Sequence, residues 1–153
     1  MKLSKKYRRI LILDDDDVRH LGFSKWLGMH DELQVVHVTT VAAAKEALSK
    51  GETFDLVFLD HDLNDLDYQS VENNGFGPIE ITGFEVARFI VTDLPKERRP
   101  KAAVVHSWNP PGASMMCEVL RSDPDIKVRR WAFNPTYHPL EATGLMEPDN
   151  ETT

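Results

Sequence analysis

The stretch FDLVFLDHDLND, residues 54–65, joins an apolar run directly to side chains that bind metals and transfer protons. Residues 55–59, DLVFL, have the composition of a strand buried on both faces of a parallel sheet. Asp60, His61 and Asp62 follow without a spacer. The stretch therefore predicts either the edge of a functional site or a strand that ends in an ordinary polar turn.

Four more apolar runs predict strands over residues 9–13, 33–38, 102–106 and 128–133. Stretches of helical period lie between the strands. One helix opens with Thr82 and Glu85 at capping-box spacing, and another follows Asn109, a cap residue, and Pro110, which suits the first helical position. Because strands and helices alternate, and crossovers are right-handed, we expect an α/β fold with a doubly wound, five-stranded parallel sheet.

Size, charge and cysteine content limit the class of protein. A chain of 153 residues has the length of one domain, and its net charge of -7 argues against non-specific DNA binding. Basic clusters at residues 5–9, 96–101 and 127–130 are either solvated surface or local phosphate contacts. The single cysteine, Cys117, excludes an internal disulfide and lies in an apolar helical pattern, so we expect a buried, inert thiol. No apolar run is long enough to span a bilayer, and we expect a soluble, cytoplasmic protein.

Two segments do not follow the alternating pattern. Residues 63–81 make a connection longer than the usual loop of a compact domain, so they form a lid and recognition loop or are locally disordered. Residues 135–153 are polar and acidic at their end, and we expect a C-terminal tail that is partly disordered.

Three predicted strands end in reactive side chains. Residues 14–17 are four consecutive aspartates, residues 60–62 are Asp-His-Asp, and residues 106–109 begin with His106 and Ser107. Ligands of an open parallel sheet bind beyond the carboxyl ends of its strands. Carboxylates brought together there repel one another unless a cation neutralises them, which predicts a Mg²⁺ or Mn²⁺ site.

Some of these residues have a structural alternative. Aspartates at the start of a helix cap its free amides, and we assign Asp16 and Asp17 mainly to that role and Asp14 and Asp15 to metal binding. Taken singly, a histidine after a strand is typical of a hydrogen-bonded structural residue. Two histidines at corresponding depth favour a functional role.

The motifs RILILDDD (residues 9–16) and FDLVFLDHDL (residues 54–63) resemble the response-regulator receiver fold. Together with TGFEVA (82–87) and HSWNPPGASMM (106–116), they resemble more closely the cyclic-phosphate processing receiver-like domains. The resemblance covers about residues 8–134, and we take residues 1–134 as the domain.

The resemblance implies the strand order 2-1-3-4-5 and a set of site residues. Asp14, Asp15 and Asp60 would hold the metal, with a further backbone ligand at Asp62, and Asp60 stands where receivers accept a phosphoryl group. Ser107 stands where receivers keep a threonine or serine.

The chain also departs from ordinary receivers. Asn134 stands where they carry a lysine, and no fifth amphipathic helix follows, so the final helix is missing or remodelled. The uncovered face predicts a possible homodimer. His61 and His106 are not receiver residues, and they favour a different chemistry from signalling.

We therefore expect a metal-dependent phosphoesterase that acts on a cyclic phosphate of a nucleotide or RNA end. His61 or His106 would serve as general acid or base, and Asp60 offers a covalent route. Further candidates are Ser107 in catalysis and, in substrate binding, Asn109, Arg129 and Arg130. The alternatives are a receiver or pseudo-receiver phosphorylated on Asp60, and a partner- or nucleotide-binding module without turnover.

Overall fold

The computed structural model describes residues 1–63 and 82–149, so all but the first residue of the predicted lid, 63–81, lies outside the described residues. The strands are β1 (Lys2–Leu3), β2 (Arg9–Leu13), β3 (Gln34–Val38), β4 (Leu56–Leu59), β5 (Ala102–Val105), β6 (Lys127–Arg130) and β7 (Met146–Glu147). The helices are α1 (Asp17–Leu27), α2 (Val41–Ser49), α3 (Gly83–Thr92), α4 (Pro110–Leu120) and α5 (Pro139–Ala142), with a 3₁₀ turn at Lys96–Arg98. None of the described helices is long and apolar enough to cross a bilayer.

The five central strands form one parallel sheet in the order β3-β2-β4-β5-β6. In order of appearance these strands are 2-1-3-4-5, so the predicted fold and strand order are confirmed. The predicted bounds of β2 match the observed ones, and those of β3, β4 and β5 differ by one residue at one end. The strand β6 begins one residue earlier than predicted and ends at Arg130 rather than at residue 133.

Both faces of the sheet are buried. Alternate residues of β2 and β4 point to opposite sides, and their side chains are fully buried: Leu11, Leu13, Val57 and Leu59 on one side, and Ile10, Ile12, Leu56 and Phe58 on the other. Side chains of α2, α3 and α4 cover the first face, and those of α1 and α5 cover the second. The continuous apolar runs in the sequence are explained by this double burial. Cys117 is buried on the first side, as expected.

Polar side chains begin the helices that lie near the carboxyl ends of the strands. Asp16 caps α1 by accepting hydrogen bonds from the amides of Val18 and Arg19. Thr82 caps α3, and Asn109 caps α4, as the sequence predicts. A side chain at Gly83 would collide with the Asp60 carbonyl oxygen, so glycine is required where α3 approaches β4.

The chain after β6 replaces a long final helix with short elements. The helix α5 has four residues, and β7 pairs antiparallel with β1. Leu140 and Leu145 are buried on the side of the sheet that α1 covers. The described part of the predicted tail is thus packed on the domain, while a domain boundary at residue 134 stays a prediction.

Candidate functional site

The strand register brings three predicted site residues together. Leu13 of β2 is level with Leu59 of β4, and Leu59 is level with Val105 of β5. The next residues along these strands, Asp14, Asp60 and His106, therefore leave the sheet side by side.

Three carboxylates form what we call the acidic cluster: Asp14, Asp15 and Asp60. Each offers an oxygen atom, and these oxygens all lie within 4.8 Å of one another. Such a set of hard oxygen ligands matches Mg²⁺, which commonly uses one or two carboxylates and keeps water in its other positions. The cluster could therefore hold a divalent cation.

The Asp14 carboxylate is held in place by contacts with His106, Arg19 and the amide of Asp16. His106 lies 2.8 Å from its Oδ2 atom, Arg19 Nε donates to Oδ2 at 2.7 Å, and the amide of Asp16 donates to Oδ1 at 2.8 Å. Burial acts to raise the pKa of Asp14, but the hydrogen bonds from His106 and Arg19 outweigh it and hold the pKa well below its usual value. Asp14 is therefore ionised at any physiological pH.

The pKa of Asp60 is shifted in the opposite direction to that of Asp14. Its side chain is only 5% exposed, and Arg19 Nη2 donates to its Oδ2 atom at 3.1 Å. Burial raises the pKa of Asp60, and the charge of Asp14 adds to this effect. Burial thus disfavours the Asp60 carboxylate although Arg19 contacts it, and a divalent cation beside Asp60 would stabilise the ionised form.

Arg19 is a site residue that the sequence analysis missed. It lies in the first turn of α1, where it pairs with Asp14 through two nitrogen atoms and reaches Asp60. It also lies 3.8 Å from carboxylate oxygens of Asp15 and Asp16. An arginine one helical turn after an acidic run is a signal that could have identified it.

An open cavity of about 280 Å³ lies beside the acidic cluster and is lined by Asp15, Asp16, Arg19, Asp62 and Leu63. Arg19 is the one cationic residue among these. A ligand that reached the acidic cluster through this cavity would contact the Arg19 guanidinium, whose side chain is 24% exposed.

His106 lies inside the protein rather than at the cavity. Its side chain has no exposed surface, and its ring packs edge-on against Phe23 and Phe58. Nε2 contacts Asp14, whereas the buried Nδ1 has no hydrogen-bond partner in the described part of the protein. This placement suits a residue that holds Asp14 in position.

His61 forms a pair with Asp62, and Asp62 lines the cavity. Nδ1 of His61 lies 2.8 Å from Oδ1 of Asp62, and Asn109 Nδ2 donates to the same oxygen at 3.0 Å. Burial acts to raise the pKa of Asp62, but these two hydrogen bonds lower it below its usual value. Because ionised Asp62 only accepts, His61 carries a proton on Nδ1, and in the neutral ring Nε2 is the basic nitrogen.

The remaining predicted residues have structural partners. Ser107 is buried, and its Oγ accepts a hydrogen bond from the amide of Asn109 at 3.1 Å. Arg130 donates to the hydroxyl of Ser114 and to a backbone carbonyl at the start of α4. Arg129 donates to the carbonyl of Val128. Neither arginine lines the cavity beside the acidic cluster.

A chain of hydrogen bonds supports Asp14 from the side of β3. His20 Nε2 donates to the Asp14 carbonyl at 2.6 Å, because a carbonyl oxygen can only accept. In the neutral ring, Nδ1 of His20 then accepts from Nδ1 of His37 at 2.5 Å, and the Ser24 hydroxyl donates to Nε2 of His37 at 3.3 Å. The sequence analysis did not predict these contacts.

Comparisons with known proteins agree with this geometry. A sequence model of the cyclic-phosphate processing receiver domain matches residues 9–122. A search of curated proteins finds no significant sequence match.

Similar solved structures are response-regulator receivers. The phosphorylated cyanobacterial phytochrome response regulator RcpA is 16% identical, with 91% of each chain covered and a TM-score of 0.62. A CheY-like receiver domain from Methylobacillus flagellatus is 18% identical, with 91% of this chain and 98% of that chain covered and a TM-score of 0.56. The response regulator TrrA of Thermotoga maritima, in complex with Mg²⁺ and BeF, is 18% identical, with coverages of 88% and 93% and a TM-score of 0.54. At these identities the likeness shows the fold alone.

Proposed function

Because the chain belongs to the cyclic-phosphate processing receiver domain family, we propose that it is a metal-dependent phosphoesterase that opens a cyclic phosphate of a nucleotide or RNA end. The observation that carries the proposal is the acidic cluster, with oxygens within 4.8 Å of one another, beside a cavity lined by Asp62, which pairs with His61. A set of carboxylates and a histidine are the groups that such a hydrolysis needs.

The acidic cluster is the proposed metal site. Asp14, Asp15 and Asp60 would hold Mg²⁺ or Mn²⁺, with a further backbone ligand at Asp62. A divalent cation at this position supplies Lewis acidity and neutralises charge on the phosphate oxygens.

His61 is the proposed general acid and base. Its Nε2 atom takes a proton from the attacking water and returns one to the ribose oxygen as that oxygen leaves phosphorus. The new bond joins the water oxygen to phosphorus, the broken bond joins phosphorus to the ribose oxygen, and the product is a phosphate monoester. The Asp62 carboxylate, 2.8 Å from Nδ1, stabilises the imidazolium formed between these steps. General acid–base catalysis of this kind contributes roughly 10²- to 10⁴-fold to the rate.

His106 and Ser107 act one step away from the substrate in this proposal. His106 orients Asp14 through the contact at 2.8 Å, and Ser107 orients the turn that carries Asn109. Asn109 holds Asp62 in place. We assign all three as positioning residues.

A second candidate function follows from the position of Asp60. Its carboxylate leaves the central strand beside Asp14, and it contacts a guanidinium at 3.1 Å. In a signalling receiver or pseudo-receiver, the Asp60 carboxylate would take a phosphoryl group from a small donor such as acetyl phosphate, and acetate would leave. The same attack on a cyclic phosphate would be the first half of a covalent hydrolysis. A module that binds a nucleotide without turnover uses the same cavity.

An assay separates these functions. The protein is incubated with 2′,3′-cyclic mononucleotides, 3′,5′-cyclic mononucleotides, cyclic dinucleotides and RNA ending in a 2′,3′-cyclic phosphate, with Mg²⁺, Mn²⁺ or chelator, and ³¹P NMR follows ring opening. We expect at least one ring to open with metal and none with chelator. Intact rings under both metals reject the phosphoesterase, and stoichiometric labelling of Asp60 by acetyl phosphate then favours the receiver.

A further inference from the structure

The Arg19 guanidinium occupies the oxygen atoms that a metal would use. Asp14 Oδ1 accepts from Arg19 Nη2 at 2.9 Å, and Asp14 Oδ2 accepts from Arg19 Nε at 2.7 Å. Asp60 Oδ2 accepts from the same Nη2 atom at 3.1 Å. A cation bound between Asp14 and Asp60 would need the lone pairs that point at Arg19. The guanidinium and a divalent cation therefore compete for the same oxygens.

Arg19 must remain charged when it leaves these oxygens, because a guanidinium does not lose its proton in proteins. Asp14 does not depend on Arg19 alone, since His106 and the amide of Asp16 also contact its carboxylate. A divalent cation would therefore replace the guanidinium without leaving Asp14 unsupported. The displaced guanidinium then needs another anion within reach of α1.

The cavity offers a place for that anion. Arg19 lines it together with Asp15, Asp16, Asp62 and Leu63, and its side chain is 24% exposed. The planar guanidinium pairs with two oxygens of a phosphate at once, which an ammonium group cannot do. Arg129 and Arg130, the cations that the sequence suggested for this role, make their hydrogen bonds elsewhere.

We propose that Arg19 is the phosphate-binding residue of this site, held on Asp14 and Asp60 until a divalent cation displaces it. In the metal-bound protein the guanidinium binds the non-bridging oxygens of a phosphate in the cavity. The inference deepens the proposed function, since that phosphate is the reacting group of the substrate. Phosphate binding by Arg19 can therefore be tested without turnover of a substrate.

The first test measures the competition with metal alone. The affinity for Mn²⁺ is measured by electron paramagnetic resonance of the free ion for the wild type, Arg19→Gln and Arg19→Lys. Arg88→Gln is the matched control, because it removes the same charge from an exposed pair with Glu85. We expect Arg19→Gln to bind Mn²⁺ about tenfold more tightly than the wild type. Arg19→Lys should lie between the two, and Arg88→Gln should match the wild type.

The second test measures phosphate binding in saturating Mg²⁺ by isothermal titration calorimetry with inorganic phosphate. Wild type and Arg88→Gln should bind it, Arg19→Gln should bind it at least about tenfold more weakly, and Arg19→Lys should be intermediate because it keeps a single point charge. Circular dichroism shows whether each variant is folded. If Arg19→Gln does not fold, Arg19→Lys alone is compared with the wild type in both tests.

Two results would overturn the inference. Unchanged or weaker Mn²⁺ binding by Arg19→Gln would mean that the guanidinium supports the acidic cluster rather than competing with metal. Equal phosphate binding by wild type and Arg19→Gln, or no binding by the wild type, would mean that Arg19 is not a phosphate ligand. Failure of the proposed function gives a different pattern: both binding results hold, and no cyclic phosphate opens.

Discussion

Nε2 of His106 lies 2.8 Å from Oδ2 of Asp14, and neither side chain has any exposed surface. Asp14 follows β2 and His106 follows β5, the two strands on either side of β4, and the pair connects the hydrophobic core to the acidic cluster. Nδ1 of His106 is buried without a partner among the described residues, which indicates that the ring is held for its one contact with Asp14. His106 therefore acts on the site through Asp14, whereas His61 pairs with Asp62.

Replacement of His106 by alanine should lower both stability and metal affinity. The change removes a partner of the buried Asp14 carboxylate and leaves a cavity between Phe23 and Phe58, so we expect a loss of about 2–5 kcal/mol in the free energy of unfolding. Urea denaturation and Mn²⁺ titration measure the two effects. Wild-type stability in this variant would contradict the assigned role.

Replacement of His61 by alanine should lower the rate of ring opening but leave stability and metal affinity nearly unchanged. His61 pairs with Asp62 and is not part of the acidic cluster, so we expect stability and Mn²⁺ affinity close to wild type. The rate of ring opening should fall roughly 10²- to 10⁴-fold, as expected for loss of a general acid and base. A rate within threefold of wild type, measured by ³¹P NMR, would exclude His61 from the reaction.

Replacement of Asp60 by asparagine should stabilise the metal-free protein at neutral pH. The fold raises the pKa of Asp60, so the folded state binds this proton more strongly than the unfolded chain does. The free energy of unfolding therefore falls as the pH rises from the unfolded pKa through the folded pKa, and a neutral amide avoids that loss. Thermal unfolding in chelator should show a higher melting temperature for Asp60→Asn, together with a smaller increase on addition of Mg²⁺.

Asp62→Asn is the control for that measurement. The fold lowers the pKa of Asp62, so loss of its charge should give no stabilisation. Equal stabilisation by both variants would mean that general charge reduction, not the acidic cluster, is responsible.

Replacement of Gly112 by alanine should displace His61. A Cβ atom on Gly112 would lie 2.5 Å from atoms of the His61 ring, closer than real contacts allow. We expect ring opening to slow at least about tenfold while Mn²⁺ affinity stays at the wild-type value, because the acidic cluster is untouched. Ser114→Ala on the same helix is the control. Wild-type rates in Gly112→Ala would show that the position of His61 does not matter.

His138 should make the protein less stable as the pH falls below 6.5. Its Nδ1 accepts from the amide of Leu140, and its Nε2 lies 2.9 Å from Nε2 of His30. Burial lowers the pKa of His138 below 6.5, and the charge of His30 adds to this effect. The unfolded chain therefore takes up the proton first, and the free energy of unfolding decreases through that range.

The variant His138→Asn isolates this effect, since asparagine keeps a cap for α5 and does not titrate. Its free energy of unfolding, measured between pH 5 and 8, should depend less on pH than that of the wild type. Parallel curves for the two proteins would contradict the role of His138.

The sequence predicted those parts of the fold and site that depend on residue order along the strands. Apolar runs buried on both faces identified β2, β4 and β5, and equal strand ends brought Asp14, Asp60 and His106 to one edge. It could not show which way a side chain points after its strand. His106 directly follows β5 and turns into the core, whereas His61 comes two residues after the end of β4 and pairs with Asp62.

The role of Arg19 in the site could not be predicted from the sequence for a similar reason. Its contacts depend on the angle at which α1 leaves Asp16, and an arginine in a first helical turn is more often solvated. The pairing of β1 with β7 was missed because two residues give no period. The contact between His20 and His37 joins a helix to a strand, and only the packed structure brings them together.

The most direct test of the account is a crystal of the protein grown with Mn²⁺ and measured at the manganese absorption edge. We predict an anomalous difference peak within coordination distance of Asp14 and Asp60, with the Arg19 guanidinium moved off both carboxylates. A cluster without such a peak, in which Arg19 still pairs with Asp14 and Asp60 at saturating Mn²⁺, would contradict it.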